Sequence, residues 1–341
     1  MERGIVHRRQ PSEPGARANM LSGTRAPTRL DFGGGWTDVP PYPERDGGFV
    51  CNVAIARYST VLLASVGSHQ GRINTSDRVS DQALVEAAVR RAGIRGLDVW
   101  LYNDFPVGAG LGGSSAAGVA LVAALAHWNA DHVTPAELAE RSRATEVEEL
   151  NVAGGRQDHY ASAFGGALGL RFTQEGTRVE RLPMTASLRD ELERRCIVVY
   201  TGESRISGDT ITAVRTAYEG GNRKVVYALR RMKELAIGMA EAVRSADVDA
   251  LASLVGEHWV HQRALHPAIP TPRIDAIVER ARLAGALGAK ALGASGGGCV
   301  LVIGPREGEA AVRDAVSSLG ALLPFTIAEQ GVESSAWPDT D

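Results

Sequence analysis

Lysine is nearly missing. Only Lys224, Lys233 and Lys290 occur in 341 residues, so arginine supplies almost all the positive charge and any phosphate contact would fall largely to it. Cysteine is scarce too: Cys51, Cys196 and Cys299 are odd in number, far apart and set among apolar neighbours. That pattern argues against a disulfide scaffold or a zinc cluster and suits a reducing cytoplasm. No run of about 18 apolar residues exists, so no membrane-spanning helix is expected. The first twenty residues hold no apolar core of secretory length, so no signal peptide is expected either. A net charge of −3 gives no bulk reason to expect nucleic-acid or membrane binding. Internal repeats, low-complexity tracts and a Walker-type GxxxxGK[ST] motif are also lacking.

What is present is an ordinary globular composition, 44% hydrophobic and 23% charged, in a chain long enough for one large or two modest domains. Its most informative stretch is Pro106 to Ala117, PVGAGLGGSSAA. A strand-like alternation, Leu97 to Tyr102, precedes it, and a run rich in alanine and leucine, Gly118 to Ala130, follows. Glycines let backbone N–H groups approach a ligand closely. A helix start leaves such groups without intrahelical partners at the positive end of the dipole, which makes a site for phosphate.

Three further segments stand out. Gly33-Gly34-Gly35 leads into Trp36-Thr37-Asp38 and then two prolines. A carboxylate beside an indole suits a polyhydroxylated ligand, because sugars offer hydroxyls to one and C–H faces to the other. GGRQDHYASAFGG (154–166) sets Asp158 at a helix start between glycine pairs, and GAKALGASGGGCVLVI (288–303) is a glycine-rich turn feeding an apolar strand. Among regular elements, Gly48 to Ser65 reads as two strands and Ser80 to Ala92 as an amphipathic helix. Thr134-Pro135-Ala136-Glu137 opens a helix with a capping box. Glu146, Glu148 and Glu149 follow on a segment ending near Leu150. Strands with short helices, then helices with a late strand, predict an α+β chain of two lobes dividing between about 175 and 192.

Taken together, RLDFGGGWTD (29–38), PVGAGLGGSSAAG (106–118), GGRQDHYASAFGG and GASGGGCVLV (293–302) resemble the GHMP kinases, the family of galactokinase, homoserine kinase and mevalonate kinase. The likeness spans about residues 25 to 304. It implies a two-lobed fold: a ribosomal-protein-S5-like N-terminal lobe that binds ATP (23–185) and a ferredoxin-like C-terminal lobe (190–332). Residues 1–22 are then an extension and Glu333 to Asp341 a loose tail.

The resemblance also implies a set of roles. ATP phosphates would lie against Pro106, Gly108, Ala109, Gly110, Leu111, Gly112, Gly113, Ser114 and Ser115. Here Gly113 departs from the family's usual hydroxyl residue. Ser114 would contact Mg2+, with Ser115 the other alignment, and Glu148 would supply the metal's carboxylate, with Glu149 the alternative. Asp158 would orient or deprotonate an acceptor hydroxyl, and Arg29 would stabilise charge on the transferred group. Trp36, Thr37 and Asp38, with Gly296 and Gly297 of the third motif, would meet the acceptor. The motifs look closest to heptose-7-phosphate kinases and fucokinases, which phosphorylate an anomeric hydroxyl. A distal phosphate would need a cationic partner, for which Arg205 is the candidate. A cyclitol 7-phosphate, L-fucose and a non-catalytic sugar- or nucleotide-binding regulator are the alternatives. The expected setting is cytoplasmic, with a small-molecule sugar or cyclitol as partner, no nucleic acid or membrane, and an open oligomeric state.

Overall fold

The computed structural model describes residues 21–66, 71–75, 79–151, 154–203 and 208–337. Strand β1 (Leu21–Gly33) is followed by a short helix α1 (Tyr42–Asp46) and strand β2 (Gly48–Ser65). Next come β3 (Ile73–Thr75), α2 (Val79–Ala92), β4 (Leu97–Asn103), α3 (Gly113–Trp128) and α4 (Pro135–Ala144). A single π turn (Thr145–Glu149), α5 (Gln157–Phe164), β5 (Ala167–Thr173) and β6 (Gly176–Leu182) complete the first run. Pro27 lies within β1, and the register with β2 slips directly after it; a residue without an N–H is accommodated at such a bulge.

Gly48 to Ser65 is one continuous strand rather than two, since no glycine or proline interrupts Phe49 to Ser65. Its two halves differ in partner: 48–53 pair with β5 and 59–65 with β4. Helix α3 crosses this sheet and is buried on nearly every side from Ser115 to Ala126. Its alanine-rich, uniformly apolar sequence fits that position between the sheet and helices α2, α4 and α5. The capping box at Thr134 forms, with Thr134 N–H donating to the Glu137 carboxylate and Glu137 N–H to the Thr134 hydroxyl.

The second lobe comprises α6 (Ala186–Arg195), β7 (Cys196–Tyr200), α7 (Gly208–Glu219), α8 (Arg223–Arg244), α9 (Val248–Gln262), α10 (Pro272–Leu283), β8 (Gly288–Ala291), β9 (Cys299–Ile303), α11 (Glu309–Ser317) and β10 (Ala321–Leu322). Its sheet runs β10-β7-β9-β8, all antiparallel. Within the lobe the fourth strand flanks the first and the third flanks the second, which is the ferredoxin-like order. Helix α8 turns a face of Leu235, Ala236, Met239, Ala240 and Val243 inward and packs across to β1 and β2.

Both chain-end expectations need correction. Strand β1 already begins at Leu21, and Glu333–Trp337 is strand β11, paired with the outer edge of β1. Neither segment has the apolar alternation that announces a strand; pairing with an otherwise open edge is what orders the later one. Among the described residues no helix is long and apolar enough to cross a membrane.

Candidate active site

The loop from Asp104 to Gly112 carries the chain from β4 to α3 and is clamped on the C-terminal lobe. Cys299 N–H donates to the Ala109 carbonyl at 2.8 Å. A Cβ at Gly110 would fall 2.7 Å from the Leu292 carbonyl, and Gly110 holds φ +73. The second and third motifs are thus backbone against backbone, an approach open only to glycine.

Helix α3 starts from Gly112 in the left-handed region, with no side chain capping it and no acidic residue in its first turn. Among the described residues the first-turn N–H groups, Gly113 to Ser115, have no intrahelical or side-chain acceptor, the condition for holding an anion. A Cβ on Gly112 would lie 3.0 Å from the Asp158 carboxyl carbon. Gly112→Ala should cost about 1–2 kcal/mol in backbone strain and, by displacing Asp158, roughly a hundredfold in turnover. Steady-state kinetics and thermal unfolding check both; wild-type turnover would count against this tight packing.

Arg29, only 3% exposed, reaches from β1 to grip Asp158. Nε donates to Oδ1 at 2.7 Å and Nη2 to Oδ2 at 2.9 Å, while Nη1 donates to the Gly110 carbonyl at 2.6 Å. This two-pronged pairing fixes the carboxylate in plane and direction. Burial works against the guanidinium's charge, but Asp158 and Asp31 outweigh it and raise the Arg29 pKa. Asp158 itself remains partly open to solvent, in the first turn of α5.

The carboxylate facing Ser114 is Glu146, not Glu148 or Glu149. Glu146 is 7% exposed; Ser114 Oγ donates to its Oε1, and Ser115 Oγ to its Oε2 at 3.3 Å. His159 Nε2 lies 3.0 Å from Oε2. Burial would push the Glu146 carboxyl up, but His159 and the two serine hydroxyls overcome it and hold it below the usual range. Glu148, 63% exposed, pairs instead with Arg91 on the outer surface, and Glu149 pairs with Arg90. The physical reason is helical phase: the buried face of α4 and the π turn runs through Leu138, Ala139, Ser142, Thr145 and Glu146, and a residue two positions on faces away.

The residues after the first glycine motif are packed into the protein. Trp36, Thr37 and Asp38 are all buried. Trp36 joins a core cluster with Tyr42, Val214 and Tyr218. The Thr37 hydroxyl bonds the backbone of Gly34 and Phe49. Asp38 Oδ2 accepts from the N–H groups of Arg156 at 2.8 Å and Gln157 at 3.0 Å, so it caps the helix that carries Asp158. Trp36 and Thr37 are thus enclosed by packing and backbone bonding, and Asp38 anchors the start of the helix that carries Asp158.

Burial, with the charges of Asp158 and Asp31, pushes the Asp38 carboxyl up to about 6, against the Gln157 N–H. A carboxyl whose pKa is raised on folding binds more protons folded than unfolded, so its contribution to stability falls as pH rises from about 4 to about 6. Wild-type protein should lose of order 2–3 kcal/mol from this group over that window, and Asp38→Asn should lack the slope. Urea midpoints at about pH 4.5 and 6.5 check it; equal slopes would refute the assignment.

Behind the Arg29–Asp158 pair lies a second ion pair not anticipated from the sequence. Lys290 of β8 is completely buried, and its Nζ donates to both the carbonyl and Oδ2 of Asp31, each at 3.0 Å. Nearby, Gly34 N–H donates to Nε2 of the buried His258 at 2.9 Å. Burial and the Lys290 charge hold His258 far below its usual pKa, so it is a neutral acceptor. Of the remaining expected residues, Gly296 lines an open cleft of about 520 Å³ with Glu203, Pro267 and Pro270. A Cβ on Gly297, at φ +146, would meet the Glu203 carbonyl at 2.7 Å. Arg205 lies outside the described residues.

Residues 82–166 match the GHMP kinases N terminal domain, and residues 239–322 match the GHMP kinases C terminal domain. A mevalonate kinase of Pyrococcus horikoshii is 31% identical over 247 residues, covering 71% of this chain and 70% of that protein. The chain belongs to the GHMP kinases. A second relative in this kinase family is the D-glycero-alpha-D-manno-heptose 7-phosphate kinase of Campylobacter jejuni, 27% identical over 337 residues, covering 91% of this chain and 98% of its own. Among solved structures of GHMP-kinase fold, a D-glycero-D-manno-heptose 1-phosphate kinase from Bacteroides thetaiotaomicron superposes with TM-score 0.75 at 25% identity, covering 94% of this chain and 100% of that one. In this chain the Arg29–Asp158 fork packs against Gly112, where the loop from Asp104 meets α3.

Proposed function

We propose that this protein transfers the γ-phosphoryl group of ATP to the anomeric hydroxyl of a sugar phosphate in the cytoplasm, with a heptose 7-phosphate as acceptor. The observation that carries the reading is the buried Arg29–Asp158 fork, packed against Gly112 where α3 begins. Phosphoryl transfer needs an oriented nucleophile and neutralised charge rather than covalent help from the protein. Asp158 would orient the acceptor hydroxyl and take up its proton, an anomeric hydroxyl being somewhat more acidic than an ordinary alcohol. Arg29 keeps that carboxylate in one direction and adds a fixed positive charge beside the transferred group. Backbone N–H groups of 113–115 would receive the phosphate chain.

Magnesium fits the residues present. Glu146 and Ser114 offer one carboxylate and one hydroxyl as hard oxygen donors, and a magnesium ion that keeps waters and phosphate oxygens needs no more from the protein. When bound, the ion would neutralise charge on the phosphates. Arg205 is proposed for the acceptor's distal phosphate.

The named heptose kinases differ in the phosphate ester their names carry, 7-phosphate in one and 1-phosphate in the other, so the test must separate them. ADP release should be measured with heptose 7-phosphate, heptose 1-phosphate, fucose, a cyclitol 7-phosphate and mevalonate, and the new ester located by NMR. Heptose 7-phosphate should give the highest kcat/KM, with the new phosphate on C1. Turnover confined to another acceptor would replace the substrate, and ATP binding with no turnover on any would replace the kinase with a regulator.

A further inference from the structure

Directly behind Glu146 sits a buried histidine that the phosphoryl-transfer scheme does not use. His159 is 2% exposed and belongs to α5, one residue after Asp158. Its Nε2 faces Glu146 Oε2 at 3.0 Å and Ser115 Oγ at 3.3 Å. Its Nδ1 is 3.0 Å from Oγ of Ser142, on α4. An ionised carboxylate only accepts, so the proton between the ring and Glu146 resides on Nε2. Ser142 can stand there because Gly118 on α3 has no side chain; a Cβ at that position would overlap the Ser142 hydroxyl. Three helices and the π turn thus converge on one imidazole, and none of its neighbours in this cluster is a solvent-exposed group.

The consequence is that the two oxygens of Glu146 are made unequal. Oε2 is occupied by the imidazole N–H and the Ser115 hydroxyl, whereas Oε1 is directed at Ser114. We propose that His159, itself held by Ser142, is a positioning residue that pins Glu146 Oε2 so that Oε1 and Ser114 together present a metal-binding pair. The proposal rests on the magnesium reading above. It also makes α5 a shared lever: Asp158 on one side addresses the acceptor, and His159 on the other sets the metal's carboxylate. Groups that hydrogen-bond a ligating carboxylate commonly change metal affinity by about 10–100-fold when removed.

The test is direct metal binding, read from the EPR signal of free Mn2+ titrated into protein saturated with ADP, beside ADP affinity measured in EDTA. His159→Leu should weaken Mn2+ binding about 10–100-fold while leaving metal-free ADP affinity unchanged. His159→Gln, which retains an N–H donor, should recover most of that loss, and Ser142→Ala should lose several-fold. Wild-type Mn2+ affinity in folded His159→Leu, while Glu146→Gln loses the metal, would make His159 a packing residue and overturn the inference alone. Wild-type Mn2+ affinity in Glu146→Gln would overturn the magnesium reading and the inference with it. Should His159→Leu not fold, Ser142→Ala and His159→Gln decide by the same readout: full affinity in Ser142→Ala refutes the relay, and a several-fold loss there, with His159→Gln near wild type, supports it.

Discussion

Replacing Asp158 with asparagine is expected to lower kcat by two to four orders of magnitude while ATP affinity changes little. The proposed phosphate contacts come from backbone N–H groups at the start of α3, which has no side-chain cap, and do not depend on this carboxylate's charge. On the proposed reading the variant loses the group that receives the acceptor's proton, together with half of the fork to Arg29. An amide can accept from one guanidinium N–H, but its own NH2 then confronts the other donor. Arg29 would be left as a buried cation with a poorer partner and a carbonyl, Gly110, as its main remaining contact. A fall in stability of a few kcal/mol should therefore accompany the loss of turnover. Single-turnover kinetics with saturating ATP, beside nucleotide titration, separates the two effects; near-normal turnover would remove Asp158 from its role.

Lys290→Met should be the most damaging single change to stability, costing about 3–5 kcal/mol as the breaking of a buried ion pair does. The methionine fills the space but leaves Asp31 charged and enclosed, and among the described residues Asp31 Oδ1 already has no hydrogen-bond partner. The double variant Asp31→Leu/Lys290→Met should regain most of the loss, since an apolar pair of similar volume carries no desolvation penalty. Urea midpoints at constant m-value check this, and a single-variant loss below about 1 kcal/mol would mean water reaches Asp31. Activity should fall in the single variant as well. Asp31 is two residues from Arg29 on the same face of β1, and Lys290 ties that face to the C-terminal lobe.

How far the site could be read from residues alone depended on what each signal measures. Glycine requirements are backbone properties, so Gly110 and Gly112 announced a close approach before any neighbour was known, and the contacts with Leu292 and Asp158 supply the neighbours. Direction is harder. Trp36 and Asp38 have the composition of a sugar site, but composition does not show that both side chains are enclosed or that Asp38 also anchors the start of α5. Glu146 was recoverable: it continues the buried spacing of Leu138, Ala139 and Ser142, and a charged residue on a buried face needs a reason. Glu148, the residue the family resemblance implies, lies two positions further on and points outward to Arg91. Lys290 sits between alanines in an apolar run. Nothing local reveals that its partner is an aspartate 259 positions earlier.

The pairing of β11 with β1 bears on the order in which this chain can be completed. The edge of the N-terminal sheet is closed by residues 333–337, after the whole second lobe has been made. Until then β1 offers Leu21 to Arg25 as an unpaired edge, open to any strand that meets it. The N-terminal half therefore cannot finish folding while the ribosome is still producing the other half, and contacts of such long sequence separation form slowly. A chain cut just after β10 would keep Arg29, Ser114, Glu146 and Asp158 and still expose that edge. Its expected failing is self-association during synthesis rather than weak catalysis.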